Sequence, residues 1–156
     1  MSANLFKSIL HNIGVVIVGF AIAFIGTRVD RLLGLGNVGS VPATMAGLLL
    51  LCAGFLLRVW ATFHFYEHRM KVISLQAQAT LLTSGPYGLS RNPLYLGGNV
   101  FIFFGAALLL GSPAALVFTA VHIPFLDIFI KREEKQLQAR FGQAWVRYSR
   151  RVRRWI

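Results

Sequence analysis

Two short groups of residues hold most of the chemistry available to this chain. The first lies in 83–98, TSGPYGLSRNPLYLGG, where Tyr87, Arg91, Asn92 and Tyr95 sit among two prolines and four glycines. Pro86 and Pro93 remove backbone donors and push Gly85 and Asn92 away from helix, so the stretch is an ordered turn or loop. Arg91 and Asn92 supply planar donors and the tyrosines supply aromatic walls, a combination suited to a small polar ligand. Irregular backbone beside a bilayer is tolerated where it lines a cavity. On residue type alone the stretch is equally an interfacial turn, because Arg and Tyr anchor span ends. The second group is Glu133-Glu134, an adjacent pair in a chain with only five acids. The plain alternative for the pair is a cap on the positive end of a tail helix, worth about 0.3–1 kcal/mol.

The elements that must position these groups follow from composition. The 156 residues are 56% hydrophobic and 13% charged, too apolar for an ordinary soluble domain and too short for two. The reading is a single all-α integral membrane domain over 1–156. Apolar runs near 9–26, 41–63, 94–111 and 113–130 each approach the roughly 20 residues a spanning helix needs, and backbone in lipid has no other way to satisfy its hydrogen bonds. Ala21-Ile22-Ala23 resembles a leader-cleavage site, but apolar sequence continues to Ile25, so the first run is expected to stay as a span. The single Cys52 excludes a disulfide within the chain.

The net charge of +11 is concentrated in a tail over 131–156 that holds Lys131, Arg132, Lys135, Arg140, Arg147, Arg150, Arg151, Arg153 and Arg154. With Lys7, Arg69, Lys71 and Arg91 on the same side, both termini and the second loop are expected to be cytoplasmic. No basic and aromatic platform exists outside these membrane-flanking segments, which argues against nucleic acid as a partner and for membrane lipids. In the tail, Leu137, Phe141, Trp145, Tyr148, Val152 and Trp155 recur at spacings of three and four, opposite Arg140, Gln143, Arg147, Arg151 and Arg154. That pattern is a helix lying on a membrane surface, or two helices broken near Gly142, with the tail arginines as headgroup anchors.

His64-Phe65-Tyr66-Glu67-His68 matches the H-x-x-E-H zinc pattern, but no third ligand is clearly placed and no metal is expected. The two histidines and Glu67 read as interfacial packing or as a wall of a substrate pocket. His122 reads as a hydrogen-bonded packing residue, and Asp127, ahead of the glutamates, as a site candidate.

The run Gly85-Pro86-Tyr87-Gly88-Leu89-Ser90-Arg91-Asn92-Pro93-Leu94-Tyr95-Leu96-Gly97 resembles the G-P-Y-R-x-x-R-H-P-x-Y-x-G signature of the isoprenylcysteine carboxyl methyltransferase and phospholipid methyltransferase families. Glu133-Glu134, Leu137, Phe141-Gly142, Trp145, Tyr148 and Val152 resemble their E-E-x-x-L-x-x-x-F-G-x-x-Y-x-x-Y-x-x-x-V pattern, and Arg58-Val59-Trp60-Ala61 also fits. The resemblance implies a membrane methyltransferase using S-adenosylmethionine, held between the loop before span three and the tail after span four, with a lipid-like or small hydrophobic acceptor. It implies that Glu133 and Glu134 meet the cofactor's cations or ribose hydroxyls, that Tyr87, Arg91, Asn92 and Tyr95 serve its carboxylate and adenine, and that Arg91 and Glu134 are catalytic. Two departures matter. Asn92 stands where the families have histidine, so a hydrogen bond survives there but a titrating base does not. Gly88 stands in place of an arginine, and only Lys131 and Arg132 could replace the arginine that enzymes acting on prenylated carboxylates use upstream of the glutamates, so a prenylcysteine substrate is not implied. The alternatives are a sterol-reductase-type membrane enzyme using NADPH, which has a similar loop and tail, and a non-catalytic four-span protein.

Overall fold

A computed structural model describes residues 2–68 and 80–156. Within them every regular element is helical: α1 (Ser2–Leu32), α2 (Val41–Glu67), α3 (Pro93–Leu110), α4 (Pro113–Phe141) and α5 (Gln143–Arg151), with a 3-10 turn at Gly85–Gly88. The first four are long and apolar enough to cross a membrane. Arg69 and Lys71, counted above toward the basic face, lie outside the described residues.

The helices start where the sequence offers caps. Ser40 accepts from the Ala43 amide at 3.3 Å with Pro42 in the first turn, and Ser112 accepts from Ala115 at 3.1 Å with Pro113 in first position. Asp30, beyond the end of the expected 9–26 span, is buried in the last turn of α1. It caps α4 by accepting from Ser112 Oγ at 2.5 Å and from the Ala114 amide at 2.9 Å. The Val38 amide donates to the Gly111 carbonyl at 3.0 Å, so the α1–α2 and α3–α4 connections share this end of the bundle.

The other end is fixed by a buried polar network. Asn12 of α1 donates to Thr62 Oγ1 at 2.8 Å and accepts from Arg58 Nε at 2.7 Å, while Arg58 Nη1 reaches the Leu94 carbonyl at 2.5 Å. Thr62 donates back to the Arg58 carbonyl, and Ser8 to that of Val59 at 2.7 Å. At this depth polar groups must satisfy one another, so the network pins α1, α2 and the start of α3 together. The guanidinium fits because α3 widens to a π-helix over Leu96–Ile102 and two glycines face it. A Cβ on Gly98 would lie 2.6 Å from Arg58 Nη1.

Two helices clearly outrun the apolar runs that announced them: α1 covers Ser2–Leu32 against the expected 9–26, and α4 continues from the expected 130 to Phe141. Once past the hydrocarbon a helix needs only propensity, and Lys131 to Arg140 is rich in Lys, Arg, Glu, Gln and Leu. Glu133 and Glu134 are therefore interior to α4, and the reading of them as caps on a separate tail helix is overturned. The tail does break, at Gly142, whose φ of +50° lies in the region that favours glycine.

Candidate active site

The site lies at the end of the bundle held by Arg58. Tyr87, in the 3-10 turn, is buried against Phe65 at 5.6 Å between ring centroids, and its carbonyl accepts from Tyr148 Oη at 2.8 Å. The loop then meets the end of the chain. The Arg91 amide donates to the Arg153 carbonyl at 2.9 Å, while Ser90 Oγ and Asn92 Nδ2 donate to that of Arg154 at 3.0 and 3.3 Å. Pro93 opens α3 and sets Tyr95 against Phe129 at 6.3 Å, with its hydroxyl bonded to Glu133. On α4 the 3.6-residue repeat puts Asp127 and Glu134 close to one line, two turns apart. The turn at Gly142 folds α5 back so that Trp145 and Tyr148 face inward.

Between these walls is a cleft whose enclosed volume is about 70 Å³, or about 560 Å³ with its open mouth included. Tyr87, Arg91, Asn92, Tyr95, Glu133 and Glu134, the six residues singled out from sequence, all line it. Phe65, Leu81, Leu82 and Leu137 make its apolar surface, and Trp145 and Tyr148 close one side. The two glutamates have different surroundings. Glu134 Oε1 takes Arg91 Nη1 and Arg154 Nε, both at 3.1 Å, and Oε2 takes Arg154 Nη2 at 2.6 Å. Glu133 takes the Tyr95 hydroxyl instead.

Arg91 is poised rather than saturated. Its Cζ lies 5.6 Å from the centre of the Trp145 ring, and its Nε is buried without a hydrogen-bond partner, as is the Tyr87 hydroxyl. Leaving such groups unpaired costs about 1–3 kcal/mol each, so both atoms favour a ligand that accepts from them. Burial holds the Tyr87 phenol far above its ordinary range and pushes that of Tyr148 up to about 12, so both remain neutral donors at physiological pH. The Glu134 hydrogen bonds, with a further charge from Asp127, hold the Arg154 guanidinium above its usual value.

Arg154 went unnoticed in the sequence. Read there as one headgroup anchor among several, it is turned inward, with Nη1 also 3.0 Å from Asp127 Oδ1. Nothing in its immediate neighbours distinguishes it from Arg150, Arg151 or Arg153, which are exposed. Trp145 and Tyr148 are likewise site walls, not a membrane-facing stripe. Asp127 is tied up by Arg154 and by Lys131 at 2.7 Å. His122 shares a 3.1 Å hydrogen bond with Asn99 on α3. The histidines of the H-x-x-E-H run engage local groups: His64 Nε2 lies 3.2 Å from Ser84 Oγ and its Nδ1 3.9 Å from Glu67, while His68 Nδ1 lies 2.8 Å from the His64 carbonyl.

A model of the phospholipid methyltransferase family matches residues 42–144, from the first turn of α2 into α5. No curated protein and no solved structure matches the chain.

Proposed function

Because the chain belongs to the phospholipid methyltransferase family, an integral membrane family transferring methyl groups to lipid-like acceptors, we propose that its donor is S-adenosylmethionine. We place the reaction in the cleft between the 83–92 loop and α4, at the cytoplasmic face, with 1–156 acting as one domain. The observation that carries the donor assignment is a pair of buried donors without partners, Arg91 Nε and Tyr87 Oη, on two residues that line a cleft also lined by Glu133. S-adenosylmethionine combines an anionic carboxylate, an ammonium, a ribose, an adenine and, when bound, an electrophilic methyl on its sulfonium. These residues fit that set of groups.

In this reading Arg91 holds the carboxylate through a charge-assisted bond, the stronger kind. Glu133, steadied by Tyr95, accepts from the ammonium or the ribose hydroxyls. The apolar and aromatic surfaces of Phe65, Leu82, Tyr87 and Trp145 take the adenine and exclude water. Glu134 keeps Arg91 in place from behind, and the two together are the residues on which turnover depends most. Asn92 has no titrating group, so the chain provides orientation and a dry site there rather than a base. Positioning and water exclusion are the main demands of in-line displacement. The basic residues at this end support the cytoplasmic placement.

The test is transfer of radiolabelled methyl from S-adenosylmethionine into the organic extract of protein reconstituted in lipid nanodiscs. Label in the lipid fraction, absent with the Arg91→Ala variant, is the expected result. Equal label with both proteins would detach the reaction from this cleft.

A further inference from the structure

Glu134 is bracketed by two arginines that differ in every other respect. Arg91 offers it one nitrogen, whereas Arg154 offers Nε and Nη2 to both oxygens and extends Nη1 to Asp127. One guanidinium thus ties together two carboxylates roughly 10 Å apart along α4, at 1.5 Å per residue. The same residue's carbonyl accepts from Ser90 and Asn92, and the carbonyl before it accepts from the Arg91 amide. The chain end therefore grips both sides of the cleft, the loop by its backbone and α4 by its side chain.

We propose that Arg154 is a positioning residue of the donor site, which occupies Glu134 so that the charge and the Nε of Arg91 stay available to an anionic ligand group. The inference rests on the reading of Arg91 given above. Its physical content is a competition. A lone carboxylate beside Arg91 would draw the guanidinium into a two-pronged pair and leave little of it for a ligand. With Arg154 already bonded to both oxygens of Glu134, Arg91 meets the carboxylate through Nη1 and its Nε stays without a partner. Lysine cannot replace the fork, because one ammonium does not present three donors in a plane to two carboxylates.

A double-mutant cycle on the full-length protein in one detergent tests this, with calorimetric affinity for S-adenosylmethionine as one readout. Hydrogen exchange of the 83–92 amides, without ligand, is the other. Arg154→Lys is expected to weaken binding about tenfold, and Arg151→Lys, at an exposed position, less than about twofold. In the Glu134→Gln background, where there is no carboxylate to occupy, Arg154→Lys is expected to change affinity less than about threefold. A merely structural role would instead give the same loss in both backgrounds, and that result overturns the proposal, as does wild-type affinity in Arg154→Lys. Exchange separates this inference from the donor assignment. If the wild-type protein binds no S-adenosylmethionine, the assignment falls, and the grip on the loop stands only if Arg154→Lys speeds exchange over 83–92. Unchanged exchange ends it.

Discussion

Replacing Arg91 by lysine separates a ligand-holding arginine from an interfacial anchor. An anchor needs only charge, so lysine would be nearly silent. In the cleft Arg91 does three things: its Nη1 meets Glu134 at 3.1 Å, its plane lies against Trp145 at 5.6 Å, and its Nε remains buried and unpaired. Lysine keeps one point charge for Glu134 but removes the Nε donor and the planar face. With the Arg91 side chain only 14% exposed, solvent screening is small, and losing one hydrogen bond to a charged group costs about 1.5–3 kcal/mol. At about 1.4 kcal/mol per factor of ten, that is roughly a tenfold to 150-fold rise in the Kd for S-adenosylmethionine. Isothermal calorimetry in a single detergent measures it. Exchanging Arg150, Arg151 and Arg153 for lysine together provides the control and is expected to stay within about threefold, under 1 kcal/mol. Equal losses from the two changes would refute the reasoning and return the loop to an interfacial turn.

Three further outcomes follow from particular contacts. In Gly54→Ala the new Cβ would lie 2.5 Å from the Gly97 carbonyl and 2.8 Å from Phe101 Cβ. Parting α2 from α3 to make room should cost about 1–3 kcal/mol and lower the melting midpoint by several degrees, and an unchanged midpoint would mean the helices do not approach this closely. Asp30→Asn weakens the cap on α4, an expected loss of about 0.5–2 kcal/mol in denaturant titration. Donor affinity should be untouched, because the cap is at the far end of the bundle. Asn92→Leu removes the 3.3 Å bond to the Arg154 carbonyl and should raise the donor Kd roughly fivefold, for about 1 kcal/mol. Asn92→His retains a donor and should keep most of the affinity, so full affinity in the Leu variant would take this position out of the site.

The spans were legible because the bilayer demands long apolar helices, and α2 and α3 fall within a few residues of the runs that announced them. Hydropathy does not report helix outside lipid, so the apolar runs stop short of the ends of α1 and α4 and leave Glu133 and Glu134 beyond the expected end of the fourth span. The gathering of Tyr87, Arg91, Asn92, Tyr95 and the glutamates was legible from motif order. What escaped depends on contacts distant in the chain. Asp30 finds its partners at Ser112 and Ala114, and Arg58 finds Asn12 and Leu94. The π-helical widening that admits Arg58 has no pattern that separates it from ordinary helix beyond the paired glycines. Arg154 was hidden by its neighbours, since an arginine in a basic tail serves a headgroup or a carboxylate equally well until the return of the chain to Ser90 decides between them.

Calorimetric titration of the purified protein with S-adenosylmethionine, and separately with NADPH, tests the central claim most directly. The account expects saturable binding of one S-adenosylmethionine per chain, weakened about tenfold or more when Glu133 and Glu134 are both changed to Gln in a protein that still melts cooperatively, and no heat with NADPH. Binding of NADPH in place of S-adenosylmethionine, or S-adenosylmethionine affinity indifferent to the two glutamates, would contradict it.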